Sequence, residues 1–229
     1  MPMPGPSIST ILPSAIYDEL RASILSQVAA PGTTFTESAV ALQFGVSRPT
    51  AKMAIERLVS EGLLHREVHQ AARVPELSRA DIVDLFDTRA VVESAAAAKL
   101  ASEGTVPREA LDAHRRIQAG ADGDLAYAPL DIAFHRALVT GQPSTRLVRM
   151  HSLIMGEIEL CIGQVQANHL RTAAEVSAEH QAILDAVGAA DPELAARLTR
   201  SHVEASRERL LAHVDASGTA DSPSRENHR

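Results

Sequence analysis

From Ser78 to about residue 214, apolar residues recur at helical spacing with few breaks, and this pattern limits the second part of the chain to an all-helical solution. The stretch "SRADIVDLFDTRAVVESAAAAKLASEG" puts Ile82, Leu85, Phe86 and Ala96 on one stripe of a long helix. Shorter helices are predicted near 107–119 and 124–140, and longer ones near 143–168 and 172–188. A last helix starts at "DPEL", with Asp191 as N-cap and Pro192 in the first turn. Six helices, with room for a seventh, joined by short connections predict an antiparallel all-α bundle over 78–214. Composition agrees: alanine and leucine supply most of the 45% apolar residues, aromatics are 3% and tryptophan is absent. A single cysteine, Cys161, excludes an internal disulfide framework, suits a reducing compartment and reads as a small core residue. No apolar run approaches the roughly 18–20 residues of a spanning helix. The start "MPMPGPSIST" has neither the basic region nor the apolar core of a signal peptide. A cytoplasmic location without a membrane partner is the expectation.

Residues 10–75 follow a different plan. A helix from Pro13 to Gln27 carries Ile16, Leu20, Ile24 and Val28 in register. "APGTTFTESAV" reads as a turn leading into a second helix capped by Thr36 and stopped by Gly45. Ser47 caps a third helix, with Pro49 near its start, that runs to about Gly62. "LLHREVHQAARVPEL" then alternates loosely, as two short strands ending at Pro75 would. Helix, helix, turn, helix and two strands are the order of a winged helix-turn-helix with a small β-wing. Residues 1–9 and 215–229, rich in Pro, Gly, Ser and charge, read as disordered tails. The net charge of −7 falls entirely after residue 74, since the first 74 residues balance six basic against six acidic side chains. Two modules with different partners are implied.

Within the third helix, Ala51, Ala54, Ile55 and Leu58 form the inner stripe, while Arg48 and Lys52 stand outward at the N-terminal end. Basic side chains there can donate to guanine O6 and N7 in the major groove, and Ser47 and Thr50 can reach phosphates. Thr36, the cap of the second helix, completes the predicted DNA-contacting set. The stretch "TESAVALQFGVSRPTAKMAIERLVSEGLL" resembles the DNA-binding domain of the GntR family of bacterial transcription regulators through Val46, Ser47, Arg48, Ala54, Leu58, Glu61, Gly62 and Leu63. It departs from that pattern in four places. Pro49-Thr50 inverts the usual Thr-Pro, Lys52 replaces an arginine, Ser38 stands where an arginine is common, and the wing lacks a glycine-rich tip. Fewer cationic contacts predict weak non-specific affinity and a shallow salt dependence.

Several polar residues of the helical part fall on apolar stripes. Asp131 and His135, one turn apart, share a face with Tyr127, Phe134 and Leu138. His180 lies with Val176, Ile183, Leu184 and Val187, and His202 with Leu194, Leu198 and Ala205. Burying these groups unpaired would cost several kcal/mol, whereas a divalent metal takes neutral imidazoles and a carboxylate as its ordinary ligands. His114 and His151 also lie on apolar stripes, so the spacing alone leaves hydrogen-bonded core histidines as an open alternative.

Residues 78–214 resemble the FCD effector domain, which defines the FadR subfamily of GntR regulators. The resemblance implies that Asp131, His135, His180 and His202 hold a divalent metal ion, Zn or Ni, and leaves open whether His151 contacts the metal or its ligand. It also implies that a small carboxylic acid binds beside the metal with help from Arg89 in "LFDTRAVVE". Arg89 has a plainer alternative, an internal ion pair with Glu93 or Asp131. The function implied is that of a homodimeric regulator, a repressor, which binds a two-fold symmetric double-stranded operator under control of the acid. A helical-bundle metalloenzyme of the non-haem iron type is the alternative, although no Glu-x-x-His pair is present. A DNA-binding protein with a purely structural metal is another.

Overall fold

The computed structural model describes residues 13–120, 127–165 and 170–217. The chain divides into two compact units, residues 1–76 and 77–229.

In the first unit, α1 (Pro13–Leu25), α2 (Glu37–Phe44) and α3 (Arg48–Ser60) enclose a small core of Ile16, Leu20, Ile24, Val40, Ile55 and Leu58. The Arg57 guanidinium lies 3.6 Å from the Tyr17 ring centroid, and the Tyr17 hydroxyl donates to Glu61, fastening α1 to the end of α3. The expected caps are in place. Thr36 Oγ1 accepts from the Ala39 amide at 3.1 Å, Ser47 Oγ accepts from the Thr50 amide at 3.3 Å, and Gly45 ends α2 with φ +64°. Val28 departs from expectation. The chain leaves the helix at Leu25, Gln27 takes φ +62°, and Val28 is 82% exposed, outside the register of Ile16, Leu20 and Ile24.

The sheet also differs from the expected hairpin. β1 (Thr34–Phe35) pairs antiparallel with β2 (Ala72–Arg73), and the segment after α3 adds only one bridge, His65 to Arg73. "APGTTF" reads as a turn in sequence, but its Thr-Thr-Phe end has the β-branched and aromatic character of a strand. Thr33 extends the pairing by accepting from the Val74 amide at 2.9 Å.

The second unit holds six helices among the described residues: α4 (Arg79–Ser102), α5 (Arg108–Ala119), α6 (Ala128–Thr140), α7 (Thr145–Gln164), α8 (Ala173–Gly188) and α9 (Pro192–Ser217). Their starts are chemically marked. Ser78 with Asp81 and Thr172 with Glu175 form capping boxes, Ser144 caps α7, and Asp191 Oδ1 accepts from the Leu194 amide at 2.9 Å. The expected tail reaches into this unit at residues 215–217, which are the last turn of α9. The tails at 1–9 and 218–229 lie outside the described residues.

α4 lies along α9, α6 contacts α4, α5 and α7, and α8 contacts α4, α5 and α9. One apolar cluster gathers Ile82, Phe86, Met155, Ile158, Val203 and Leu210, and another gathers Leu100, Phe134, Leu138, Ile183 and Val187. Cys161 is buried in the first, and burial pushes its thiol up to about 12, so it is an apolar filler there.

Candidate metal and effector site

α6 supplies Asp131 and His135, α8 supplies His180 and α9 supplies His202. One ligand atom from each of these four residues lies within 4.8 Å of the other three. The Nε2 atoms of His135 and His202 face each other at 2.9 Å. Asp131 Oδ1 lies 3.1 Å from His180 Nε2 and 3.7 Å from Nε2 of both His135 and His202. Around an ion bonded at about 2.1 Å, tetrahedral donor–donor edges are roughly 3.4 Å. The cluster is therefore close to the size that one divalent ion draws together.

The orientation of the imidazoles follows from what their other nitrogens meet. His202 Nδ1 faces Glu179 Oε2 at 2.6 Å, and His135 Nδ1 lies 2.7 Å from Glu93 Oε2. A carboxylate bonded at Nδ1, as at His202, fixes the proton there and turns the Nε2 lone pair toward the cluster, the pattern common behind metal-bound histidines. His180 has neither ring nitrogen hydrogen-bonded and is held by stacking on Phe134, with centroids 3.7 Å apart and an interplanar angle of 9°. Three imidazoles, each 3% exposed or less, thus crowd around one carboxylate. That is an unfavourable set unless a cation joins it.

Electrostatics favours the metal-ready forms of Asp131, His180 and His202. Burial pushes the Asp131 carboxyl up, but the adjacent His135 and His180 imidazoles outweigh it and hold the group well below its ordinary value. Burial pushes His180 down to about 3 and lowers His202 as well, so both are neutral near pH 7. His135 is raised: burial and Arg89 push it down, but Glu93 and Asp131 more than compensate. These directions predict how the metal-free protein responds to acid. Below 6.5 the unfolded chain protonates His180 and His202, which the fold keeps neutral, so stability falls as pH falls. The stabilisation from His135 is present in full below 6.5 and is lost only at higher pH, so it leaves the decline from the other two uncancelled. The urea midpoint of chelated protein should therefore decline steadily from about pH 6.5 to pH 5, and a flat midpoint over that interval would contradict the assignment.

Arg89, buried at 2% exposure, donates from Nε to Glu93 Oε1 at 2.8 Å and keeps Nη2 3.9 Å from Asp131 Oδ2. The plainer alternative for Arg89, an internal ion pair, is thus present, and the same side chain also lines a cavity with Asp131. His151 meets Glu93 Oε1 at 2.9 Å and stands outside the four-residue cluster, and His114 is held by Gln181 at 2.9 Å.

Sequence reasoning missed Glu179, Arg171 and Arg209, and saw Glu93 only as a partner for Arg89. Glu93 takes Arg89, His135 and His151 on one carboxylate, and burial pushes it up while these partners hold it well below its usual value. Arg209 shared a legible face with His202 and Ser206. Glu179 lies off the apolar stripe of α8, and Arg171 precedes that helix, so neither had a periodic signal.

In the first unit, Ser47, Arg48 and Lys52 are exposed at the start of α3, Thr50 is half-buried beside Ser47, and Thr36 is exposed at the start of α2. Lys52 Nζ lies 3.5 Å from Glu56 Oε1, and Ser47 Oγ lies 2.8 Å from Thr50 Oγ1. Thr36 and Ser47 cap the N-termini of α2 and α3, and such ends favour phosphate oxygens.

Comparison with known proteins agrees with both units. Residues 12–74 match the bacterial regulatory proteins of the gntR family, and residues 84–205 match the FCD domain. The chain is 28% identical over 179 residues to the "Probable D-xylose utilization operon transcriptional repressor" of Paenarthrobacter nicotinovorans, covering 76% of this chain and 77% of that one. It is 30% identical over 227 residues to an HTH-type transcriptional regulator in an unstable DNA locus of Streptomyces ambofaciens, with 93% of each covered. Among solved structures, a GntR regulator from Rhodococcus sp. RHA1 superposes with a TM-score of 0.71 at 22% identity, covering 87% of this chain and 97% of that one. McbR/YncC of E. coli gives 0.67 at 20% identity, with 89% and 98% covered. Fold and matches together define a DNA-binding transcription regulator rather than an enzyme. The chain belongs to the GntR family and carries an FCD domain as its second unit. Among the described residues, no helix is long and apolar enough to cross a membrane.

Proposed function

We propose that this regulator, of the FadR subfamily, senses a small carboxylic acid at a divalent metal held by Asp131, His135, His180 and His202. The observation that carries the reading is the convergence of four buried or half-buried ligand atoms within 4.8 Å, two of their imidazoles backed by carboxylates, beside a cavity that Arg89 and Asp131 line. Bound there, a Zn or Ni ion would supply a Lewis-acid position for a carboxylate oxygen. Arg89 would offer the acid a guanidinium donor, and the apolar wall of the cavity would keep water from competing.

On the DNA side, a homodimer would set one α3 into each half of a two-fold symmetric operator. Arg48 and Lys52 would meet base edges, and Ser47, Thr50 and Thr36 would meet phosphates. The acid would shift the balance between arrangements of the protein that differ in operator affinity, most simply as the inducer of a repressor.

The reading is tested by a thermal-shift screen of purified protein against small carboxylic acids, run metal-loaded, chelated, and after zinc or nickel add-back. An acid at a hundred times its dissociation constant should stabilise the loaded protein by about 2.7 kcal/mol, and chelation should abolish the shift. Stabilisation by metal with no response to any acid would make the site structural.

A further inference from the structure

A cavity of about 60 Å³ opens beside Asp131, and three guanidinium groups line it: Arg89 from α4, Arg171 ahead of α8, and Arg209 from α9. The protein's own carboxylates do not use up their donors. Glu93 holds Arg89 at 2.8 Å. Glu179 holds Arg171, lies 3.9 Å from Arg209, and is already engaged by His202 at 2.6 Å. The Arg171 side chain is 5% exposed, yet its Nε and Nη1 have no hydrogen-bond partner, and neither do Arg89 Nη2 and Arg209 Nη1. Buried guanidinium donors without acceptors are costly, so several of them around one cavity point to an acceptor-rich ligand.

Charge sets how many acceptors. With neutral imidazoles, the three arginines balance Asp131, Glu93 and Glu179, and a divalent ion then leaves two positive charges uncompensated. We propose that the effector is a short dicarboxylate. One carboxylate would face the Asp131–histidine cluster and Arg89, and the other would face Arg171 and Arg209. So small a cavity suits a chain of three or four carbons better than a six-carbon sugar acid. Phe86 and Leu210 give the intervening methylenes an apolar wall. This inference rests on the metal-and-acid reading above and narrows its ligand.

The test is calorimetric titration of the zinc- or nickel-loaded full chain with malonate and succinate, each against the monocarboxylate of equal length, propionate and butyrate. Each dicarboxylate is expected to bind about tenfold more tightly than its match, the scale of one charge-assisted pair. Arg209, at 38% side-chain exposure, can be changed with little risk to folding. Arg209→Gln should collapse that ratio while leaving monocarboxylate affinity in place. Monocarboxylates that bind as tightly as their partners would overturn the second-carboxylate inference and leave the metal-and-acid reading standing. A full ratio retained in Arg209→Gln would overturn the placement of that carboxylate. Failure of all four acids to bind loaded protein would overturn the dicarboxylate inference and count against the underlying reading too.

Discussion

Stripping the divalent ion from the loaded protein is expected to lower the melting temperature of its helical unit by about 8–16 °C. The expectation follows from mass action. An ion held at a thousand times its dissociation constant adds about 4.1 kcal/mol, and in a chain of this size each kcal/mol moves the midpoint by about 2–4 °C. An ion held there would relieve several contacts. His135 and His202 point ring nitrogens at each other 2.9 Å apart, His180 has no hydrogen bond at either nitrogen, and the carboxylate among them accepts but does not donate. Differential scanning calorimetry with chelator, then with zinc or nickel restored, measures the effect. An unchanged midpoint would mean that the cluster is satisfied by protons alone.

The second large effect lies one layer behind the candidate ligands. Glu93→Ala is expected to destabilise the helical unit by about 3–5 kcal/mol, the range for removing one partner of a buried ion pair. Glu93 is fully buried, and its loss would leave the Arg89 guanidinium without its 2.8 Å partner while removing the carboxylate beside His135 Nδ1 and His151 Nε2. Glu93→Gln, which keeps an acceptor of similar shape, should cost less. Urea unfolding of the two variants separates the outcomes, and a loss below about 1 kcal/mol for the alanine variant would show that water replaces the carboxylate with little penalty.

Glu93 also marks the boundary of what the sequence discloses. Helices were legible where an apolar stripe met a capping residue, as at Asp191 or Ser47, because both signals are local. The four candidate ligands were legible for the same reason: each is a polar residue on its own helix's apolar face. Of the wing, β2 and the His65–Arg73 bridge fall in the expected stretch, but β1 does not, because pairing between Thr34–Phe35 and Ala72–Arg73 spans much of the first unit and nothing near Thr34 reports its partner. Val28 looked like one more turn of α1 until the left-handed backbone at Gln27 turned the chain away. The residues that support the site were the hardest to see. Glu179 acts on a histidine from another helix, and Arg171 comes from a connection, where periodicity says nothing.

The most direct test of the account is operator binding in the presence of acid, measured by fluorescence anisotropy on a DNA fragment selected by the protein itself. Metal-loaded wild-type protein should change its operator affinity by about tenfold or more when an acid identified by thermal shift is added, a coupling of about 1.4 kcal/mol. The Asp131→Ala, His202→Ala double variant should bind the same DNA without acid and show no response with it. A response preserved in that double variant, shown to be metal-free, would contradict control through the metal site.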